Sequence, residues 1–311
     1  MNARTSRRAV VAVVGATATG KSDLACQLAR LLDGEVVNAD SMQVYRGMDI
    51  GTAKLTPAER GGVPHHLLDI WPVTKAANVA EYQALARAAI ADIHGRGRLP
   101  ILVGGSGLYV RAVLDELAFP GHDPVLRAHL ERELAEVGPA VLHARLAVLD
   151  PIAAAAILPG NGRRIVRALE VIEMTGAPFT ATLPAPQSHY RHLTLGLTTA
   201  RQDLDQAIAD RVERMWARGF VAEVAGLAGL PGSPTASRAL GYRQILAHLA
   251  GEIDEATAQA ETIRVTRKFA RRQEAWFRRE PDVRWLAAAD AELPGRAQAA
   301  LETFLRGRPD A

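Results

Sequence analysis

The stretch Val10-Val11-Ala12-Val13-Val14-Gly15-Ala16-Thr17-Ala18-Thr19-Gly20-Lys21-Ser22 decides how this chain folds. Its first five residues are small or branched and apolar, which predicts a buried strand. Residues 21–32 then show helical periodicity, with Leu24, Leu28, Leu31 and Leu32 on one face. Between strand and helix, Gly15 to Ser22 matches G-x-x-x-x-G-K-[ST] in the context that gives this motif its meaning. The glycines let the backbone curl so that successive N–H groups point at one anion, and the helix N-terminus adds positive potential. Lys21 neutralises terminal phosphate charge, and the Ser22 hydroxyl can ligate Mg²⁺. The loop therefore implies a polyphosphate ligand without implying ATP hydrolysis.

Further strands are expected at residues 35–38, 100–103, 193–197 and 283–286, separated by helical patterns. Alternation of this kind predicts a mostly parallel sheet covered by helices on both sides, a P-loop NTPase-like α/β core. Residues 119–189 interrupt it. They carry no strand signal, open on Phe119-Pro120-Gly121 and close on a Pro-rich run at residues 178–186. Helical patterns fill the interior at residues 124–137, 139–149 and 162–175. The stretch is too long for a plain crossover. The expected organisation is an α/β core from residues 1–118 and 190–311, with a largely helical C-terminal part, and a helical insertion domain at 119–189.

The 311 residues are 48% hydrophobic and 23% charged, which fits a folded chain with a sizeable core. The single cysteine, Cys26, excludes an internal disulfide and a cysteine-built zinc site. A reducing, cytoplasmic setting fits that usage. No apolar run approaches the ~18 residues of a membrane span. The basic start, residues 1–8, lacks the apolar stretch of a signal peptide and reads as a short tail. Net charge is only +3, so the placement of charge matters more than its sum. Residues 264–279 hold seven Lys or Arg and one acid, Glu274. A second cluster, Arg163, Arg164 and Arg167, lies mid-chain.

Several segments carry candidate chemistry. Asp40 follows the second strand, at the sheet edge that also bears the P-loop and where ligands bind. It reads equally as a general base and as a turn-capping aspartate. Gly104-Gly105-Ser106-Gly107 ends the third strand at the same edge. The glycines permit close approach to a ligand, and a tight strand-to-helix turn explains them as well. Arg163, Arg164 and Arg167 begin a helix capped by Asn161, whose opposite face is Ile165, Leu169 and Ile172. Cations in a first helical turn oppose the macrodipole, which favours a phosphate partner over a plain solvated face. Arg264, Arg267, Lys268 and Arg271 recur at helical spacing among Phe269, Trp276 and Phe277; they read as an RNA-facing surface or as a solvated amphipathic face. His65 and His66 lack the further ligands that a metal site requires. Cys26 reads as an inert core thiol.

Taken together the segments resemble the tRNA dimethylallyltransferases, also called tRNA isopentenyltransferases. The matching stretches are Gly15 to Ser22, the specific run at residues 40–54 (DSMQVYRGMDIGTAK), His65 to Asp69, GGSGLY at 104–109 and residues 163–171. RALGYRQ at 238–244 and Arg271-Arg272-Gln273 with Trp276 complete them. They occur in the family's order along nearly the whole chain. The resemblance implies transfer of a dimethylallyl group from dimethylallyl diphosphate to N6 of the adenosine 3′ to the tRNA anticodon. It implies that Gly15, Ala16, Thr17, Ala18, Thr19, Gly20, Lys21 and Ser22 bind the donor's diphosphate with Arg211. It also implies that Asp40, Thr17, Ser106 and Arg211 form the catalytic set and that Mg²⁺ is the cofactor, held at Ser22.

By the same resemblance, tRNA contacts are expected from Asp40, Ser41, Met42, Gln43, Ser106, Arg127, Arg163, Arg164, Ile165, Val166 and Arg167. Arg238, Ala239, Leu240, Gly241, Tyr242 and Arg243 are expected to join them, and the insertion to grip the anticodon stem-loop. A monomer without membrane contact is expected. Ala16 stands where the family usually has Pro, Ser106 where it usually has Thr, and Leu55 where Pro is common. Two other activities compete: an adenylate isopentenyltransferase, which the insertion and its arginines disfavour, and a P-loop small-molecule kinase, which the 40–54 run disfavours. A non-catalytic RNA-binding protein would need no phosphate loop beside a carboxylate.

Overall fold

The structure, a computed structural model, describes residues 9–179 and 183–307. The basic tail expected at residues 1–8 and part of the Pro-rich run lie outside the described residues. In chain order the elements are β1 (Ala9–Gly15), α1 (Lys21–Leu32), β2 (Gly34–Asn38), α2 (Pro57–Arg60), β3 (His65–His66), α3 (Val79–Gly95), β4 (Leu99–Gly104) and α4 (Gly107–Leu114). Next come α5 (Pro124–Leu149), α6 (Pro151–Ala156), α7 (Gly162–Thr175), β5 (Arg191–Thr198), α8 (Arg201–Ala217) and α9 (Phe220–Gly226). The chain continues through a 3₁₀ turn (Ala236–Arg238), α10 (Tyr242–Leu249), α11 (Glu255–Phe277), β6 (Val283–Ala287) and α12 (Leu293–Leu305).

Six strands form one sheet in the order β3-β2-β4-β1-β5-β6, and every pairing is parallel. The strand period of two explains why β1 reads as a continuous apolar run. Val10, Ala12 and Val14 enter the core on one face of the sheet, while Ala9, Val11 and Val13 enter the core on the other. The second face is covered by Leu24 and Leu28 of α1 and Leu301 of α12. Leu31 departs from expectation, being 55% exposed, because α1 turns only one side to the sheet and ends at Asp33 in a left-handed conformation.

β3 escaped the sequence reading because it has only two half-buried residues and no apolar pattern. It is held by Val36 pairing with His65 and Val37 with His66. The parallel sheet brings the carboxyl ends of β1, β2 and β4 to one edge, and this places Gly15 to Ser22, Asp40 and Gly104 to Gly107 together.

The chain divides into two compact units, Met1–Glu116 with Ser188–Ala311, and Leu117–Gln187. The smaller unit is helical. Its long helix α5 is interrupted at Gly138, which has φ of +80° directly before Pro139. Its core gathers Leu130, Leu142, Leu146, Ile157, Ile165, Val166 and Leu169. At its centre the fully buried Glu170 accepts from Arg127 (2.9 Å) and Arg167 (2.8 Å), with His122 at 2.7 Å. Burial acts to raise the Glu170 pKa, but the hydrogen bonds and cations outweigh it and hold the carboxyl below its ordinary range.

Candidate active site

The P-loop leaves β1 at Gly15. A side chain there would meet the Leu197 carbonyl of β5 at 2.7 Å, and φ is +140°, so only glycine fits. The next residues wrap back on themselves. The Thr19 hydroxyl donates to the Ala16 carbonyl at 2.8 Å, and Lys21 Nζ donates to the same carbonyl at 2.5 Å. Gly20, at φ +81°, opens α1. Ala16 packs with Leu204, Ile208 and Ala270, so the residue replacing the family's usual proline fills an apolar contact.

Across the cleft, Asp40 is fixed by its neighbours. Its backbone N–H donates to Asn38 Oδ1 (2.9 Å), and its Oδ1 accepts from the Met42 N–H (2.8 Å). One Asp40 carboxylate oxygen therefore closes the turn, as the turn-capping reading expects, and the residue also lines the cleft. Asn38 is in turn pinned by Tyr82, whose hydroxyl donates to the Asn38 carbonyl at 2.8 Å.

Residues 40–54 owe their specific pattern to a self-laced loop. Lys54, 5% exposed, donates to the Tyr45 carbonyl (2.9 Å), Asp49 (2.5 Å) and Asp69 (2.6 Å). The Glu223 carboxylate of α9 accepts the N–H groups of Asp49 (3.0 Å), Ile50 (2.6 Å) and Gly51 (3.2 Å), and also the Tyr242 hydroxyl (2.6 Å). A side chain on Gly51 would lie 2.1 Å from Phe220. The motif thus builds one wall of the cleft, and Glu223, which sequence reasoning missed, holds that wall.

The cleft has a volume of about 340 Å³ and belongs wholly to the larger unit. Thr17, Lys21, Ser22, Asp40, Ser41, Met42, Gln43, Ser106 and Arg211 all line it. So do Ile208, Val212, Met215, Phe220 and Phe269, an apolar wall that the sequence reading had not assembled. Arg272 is a further cation on the lining. Burial and then the Arg211 guanidinium push the Lys21 pKa down to about 7, against a smaller upward pull from Asp40. Burial likewise lowers Arg211 from its ordinary value, with Asp40 opposing. Among the described residues no carboxylate stands within ion-pair distance of Lys21 or Arg211. Two half-buried cations without a carboxylate partner form a site that favours an anion.

Other expected site residues divide between scaffold and cleft. Tyr242 is fully buried against Phe220, with ring centroids 4.9 Å apart, and also borders the cleft. Ala239 and Gly241 are also buried, Arg238 and Arg243 are exposed and Leu240 is half-buried; Arg238, Ala239 and Leu240 join the cleft lining. Ile165 and Val166 lie in the core of the helical unit, which takes their side chains away from any RNA. Arg127 and Arg167 are spent on Glu170, and Arg167 also donates to the carbonyls of Pro120 (2.7 Å) and Gly121 (3.0 Å). Arg163 and Arg164 are exposed.

The 104–107 glycines answer a packing need, and Gly104 and Gly105 also line the cleft. Side chains there would collide with the Ala39 carbonyl (2.2 Å from Gly104), Gln273 (2.1 Å from Gly105) and Trp276 (2.2 Å from Gly107). His65 Nδ1 lies 2.8 Å from the Val63 carbonyl, and His66 Nε2 2.6 Å from the buried Glu35. These histidines knit β3 to its neighbours. On α11, Arg264 pairs with Glu261, Arg278 with Glu274, and Arg267 donates to the Asp205 carbonyl.

A family model described as IPP transferase matches residues 43–280. The tRNA dimethylallyltransferase of Salinispora arenicola (strain CNS-205) is 65% identical over 299 residues, covering 96% of this chain and 87% of that protein. That of Thermobifida fusca (strain YX) is 65% identical over 295 residues, covering 93% and 92%. Among solved structures, the tRNA isopentenylpyrophosphate transferase of Bacillus halodurans is 40% identical, with a TM-score of 0.70 and coverage of 96% and 98%. A eukaryotic dimethylallyltransferase acting on tRNA is 28% identical, with a TM-score of 0.83 and coverage of 97% and 80%. With a family model matched over most of its length and relatives 65% identical to it, this chain belongs to the IPP transferase family, the tRNA dimethylallyltransferases.

Proposed function

We propose that this protein transfers the dimethylallyl group of dimethylallyl diphosphate to N6 of the adenosine 3′ to the anticodon in tRNA, releasing diphosphate. One observation carries the reading. The cleft sets two cations without carboxylate partners, Lys21 and Arg211, beside an apolar wall of Ile208, Val212, Met215 and Phe220. A ligand that is diphosphate at one end and branched hydrocarbon at the other matches both surfaces.

In the reaction the bond from the prenyl C1 to the diphosphate oxygen breaks, and the bond from C1 to adenosine N6 forms. Lys21, Arg211 and the loop N–H groups stabilise charge growing on the leaving diphosphate. Thr17 steadies the diphosphate. Asp40 accepts the N6 proton through the carboxylate oxygen that the turn does not use. Ser106 contacts the target nucleotide, which must leave its stack to reach a cleft at the sheet edge.

The residues fit a bound Mg²⁺ in one specific way. Ser22 offers a hydroxyl on the cleft lining, and the described residues hold no cluster of three or more His, Cys, Asp or Glu to cage an ion. Ser22 would therefore be the protein group that holds Mg²⁺ together with a bound diphosphate, in keeping with this ion's preference for few protein oxygens plus phosphate and water. When bound it neutralises charge on the leaving group.

The exposed Arg163, Arg164, Arg238 and Arg243 are the side chains suited to tRNA phosphates, and Ser41, Met42 and Gln43 to the nucleotides nearest Asp40. The helical unit, residues 119–189 in the sequence reading, takes the anticodon stem-loop. Arg127 and Arg167 serve this surface by holding α5 and α7 together around Glu170. We place the enzyme in the cytoplasm as a monomer, in keeping with a single reduced cysteine. No helix among the described residues is long and apolar enough to cross a membrane.

The test is mass analysis of nucleosides from tRNA incubated with the protein, magnesium and dimethylallyl diphosphate, with ATP and AMP as the alternative donor and acceptor. The reading expects N6-dimethylallyl adenosine in tRNA. Prenylated AMP with unmodified tRNA, or phosphate transfer from ATP, would overturn it.

A further inference from the structure

The basic helix α11 carries one buried neutral amide, Gln273, which is 5% exposed. Its Oε1 accepts from the backbone N–H of Thr17 in the P-loop at 2.9 Å. Its Nε2 donates to the carbonyl of Gly105 in the turn after β4 at 2.9 Å. One side chain therefore ties together the two loops that leave the paired strands β1 and β4 at the cleft edge. Gly105 has no room for a side chain because this amide stands 2.1 Å from where its Cβ would be. Three residues on, Trp276 fills the same role against Gly107, at 2.2 Å. Beyond Gly105 the lacing continues: Ser106 Oγ accepts from the Ser41 N–H at 3.3 Å and meets Ser41 Oγ at the same distance.

The chemistry of this bridge is specific to an amide. It must accept on one side and donate on the other, so a carboxylate fails at Gly105 and an ammonium fails at Thr17. It must also be uncharged beside a site meant for an anion. The Thr17 N–H, which a phosphate-binding loop would otherwise turn to its ligand, is already committed to Gln273, while the rest of Thr17 still lines the cleft.

From these contacts we infer that Gln273 is a positioning residue for the donor site: it sets Thr17 and the P-loop at a fixed separation from the Gly105–Ser106 turn. It acts through Thr17 and the Gly105 carbonyl, and part of it also borders the cleft. This inference rests on the proposed use of the cleft for a prenyl diphosphate.

The experiment measures binding of magnesium diphosphate, KM and kcat for dimethylallyl diphosphate, tRNA affinity and the melting midpoint, in wild type and two variants. Gln273→Met keeps the length and removes both hydrogen bonds. It should weaken diphosphate binding and raise the donor KM by about tenfold, the scale of one to two net hydrogen bonds. The kcat should fall less than KM rises, and tRNA affinity should stay at the wild-type level. Gln273→Glu keeps the acceptor for Thr17 and adds negative charge, and its donor KM should rise further than that of the Met variant.

Some fall in the melting midpoint is expected either way, and a purely structural role would instead weaken tRNA and diphosphate together, in step with that fall. Wild-type diphosphate affinity and donor KM in a folded Gln273→Met protein would overturn the inference. If that variant does not fold, Gln273→Glu decides alone, and unchanged diphosphate affinity there is equally fatal. Wild-type protein that fails to bind magnesium diphosphate would sink the reading of the cleft itself, a result separable from either variant.

Discussion

The cleft and the helical unit both concentrate cations, and they use them in opposite ways. Lys21 and Arg211 line a cavity with no carboxylate at ion-pair distance among the described residues, and both are pushed toward the neutral form by burial. Arg127 and Arg167 converge on Glu170, whose side chain is fully buried, and are neutralised where they stand. Lys54 repeats the second pattern inside the 40–54 loop, between Asp49 and Asp69. A cation held away from carboxylates favours an incoming anion; a cation already paired with a buried carboxylate is scaffold. Charge counted along the sequence does not separate the two cases, because the partner that decides the matter sits elsewhere in the chain.

The sharpest way to break this contrast is Asp40→Asn. Asparagine keeps the oxygen that accepts from the Met42 N–H, so the turn survives and only the proton-accepting carboxylate is lost. Transfer should slow by about 100-fold or more, the usual scale for a lost general base, while donor and tRNA binding persist. Single-turnover kinetics with separately measured binding would check it. Near wild-type turnover would reduce Asp40 to its turn-capping role.

Lys21→Ala comes next, with magnesium diphosphate affinity falling by about 10- to 100-fold, the worth of a charge-assisted contact. The pH dependence sharpens the test. The free cleft holds the Lys21 pKa at about 7, and an anion raises it again. Below that pH the lysine is already charged and binding takes up no proton at it. Above it, binding must recharge the lysine, so its contribution to affinity weakens as pH rises. Calorimetry near pH 8 in buffers of different ionisation enthalpy should show wild type taking up about one proton more than Lys21→Ala. Equal uptake would mean that Lys21 is not the phosphate-facing cation.

The same contrast explains what the sequence made legible. Strand β1, the P-loop and helix α1 were readable because their signals are local: an apolar run, two glycines and a helical period. The break in α5 was readable at Gly138-Pro139 for the same reason. β3 was not, since a two-residue strand has no period and is fixed by β2. The glycines at 104–107 were visible and their cause was not. Gly105 is small because of Gln273, 168 residues further along the chain. Glu223 gave no local sign of holding the 40–54 loop. The family resemblance pointed to residues 163–167 and 238–243 as blocks, whereas burial divides each block into exposed arginines and core side chains such as Ile165 and Tyr242.

That division gives a paired prediction within the helical unit. Replacing Arg163 and Arg164 together with Gln should lower the salt slope of tRNA binding by up to about two units, near one per lost phosphate contact. Arg167→Gln should act chiefly on stability, by about 1–3 kcal/mol, because it leaves Glu170 with one fewer donor. Glu170 has its pKa held low in the fold, so its contribution is full above the ordinary carboxylate pKa and is lost as pH falls below that through the lowered folded value. Thermal melts from neutral pH down to about pH 3 should therefore show the Arg167→Gln deficit shrinking at the acid end. A large slope change from Arg167→Gln with unchanged melting would reverse the assignment.

The smallest expected effect concerns Ser106, where relatives usually carry Thr. Its hydroxyl bridges to Ser41, accepting from the backbone N–H at 3.3 Å and meeting the side-chain oxygen at 3.3 Å. Both contacts are long, and the residue sits half-buried at the cleft margin, so water can replace part of what is lost. Ser106→Ala should therefore reduce kcat/KM for tRNA by only about fivefold, the equivalent of a net hydrogen bond of ~1 kcal/mol. Ser106→Thr keeps the hydroxyl and should leave kcat/KM unchanged. Because the backbone of Gly105 is held by Gln273 from the other side, the alanine variant should keep wild-type diphosphate affinity. Steady-state kinetics with tRNA varied, together with diphosphate binding, separate the outcomes. A loss of donor affinity in Ser106→Ala would show that the turn is positioned through its hydroxyl rather than through α11, and a loss in Ser106→Thr would show that the margin has no room for the methyl group.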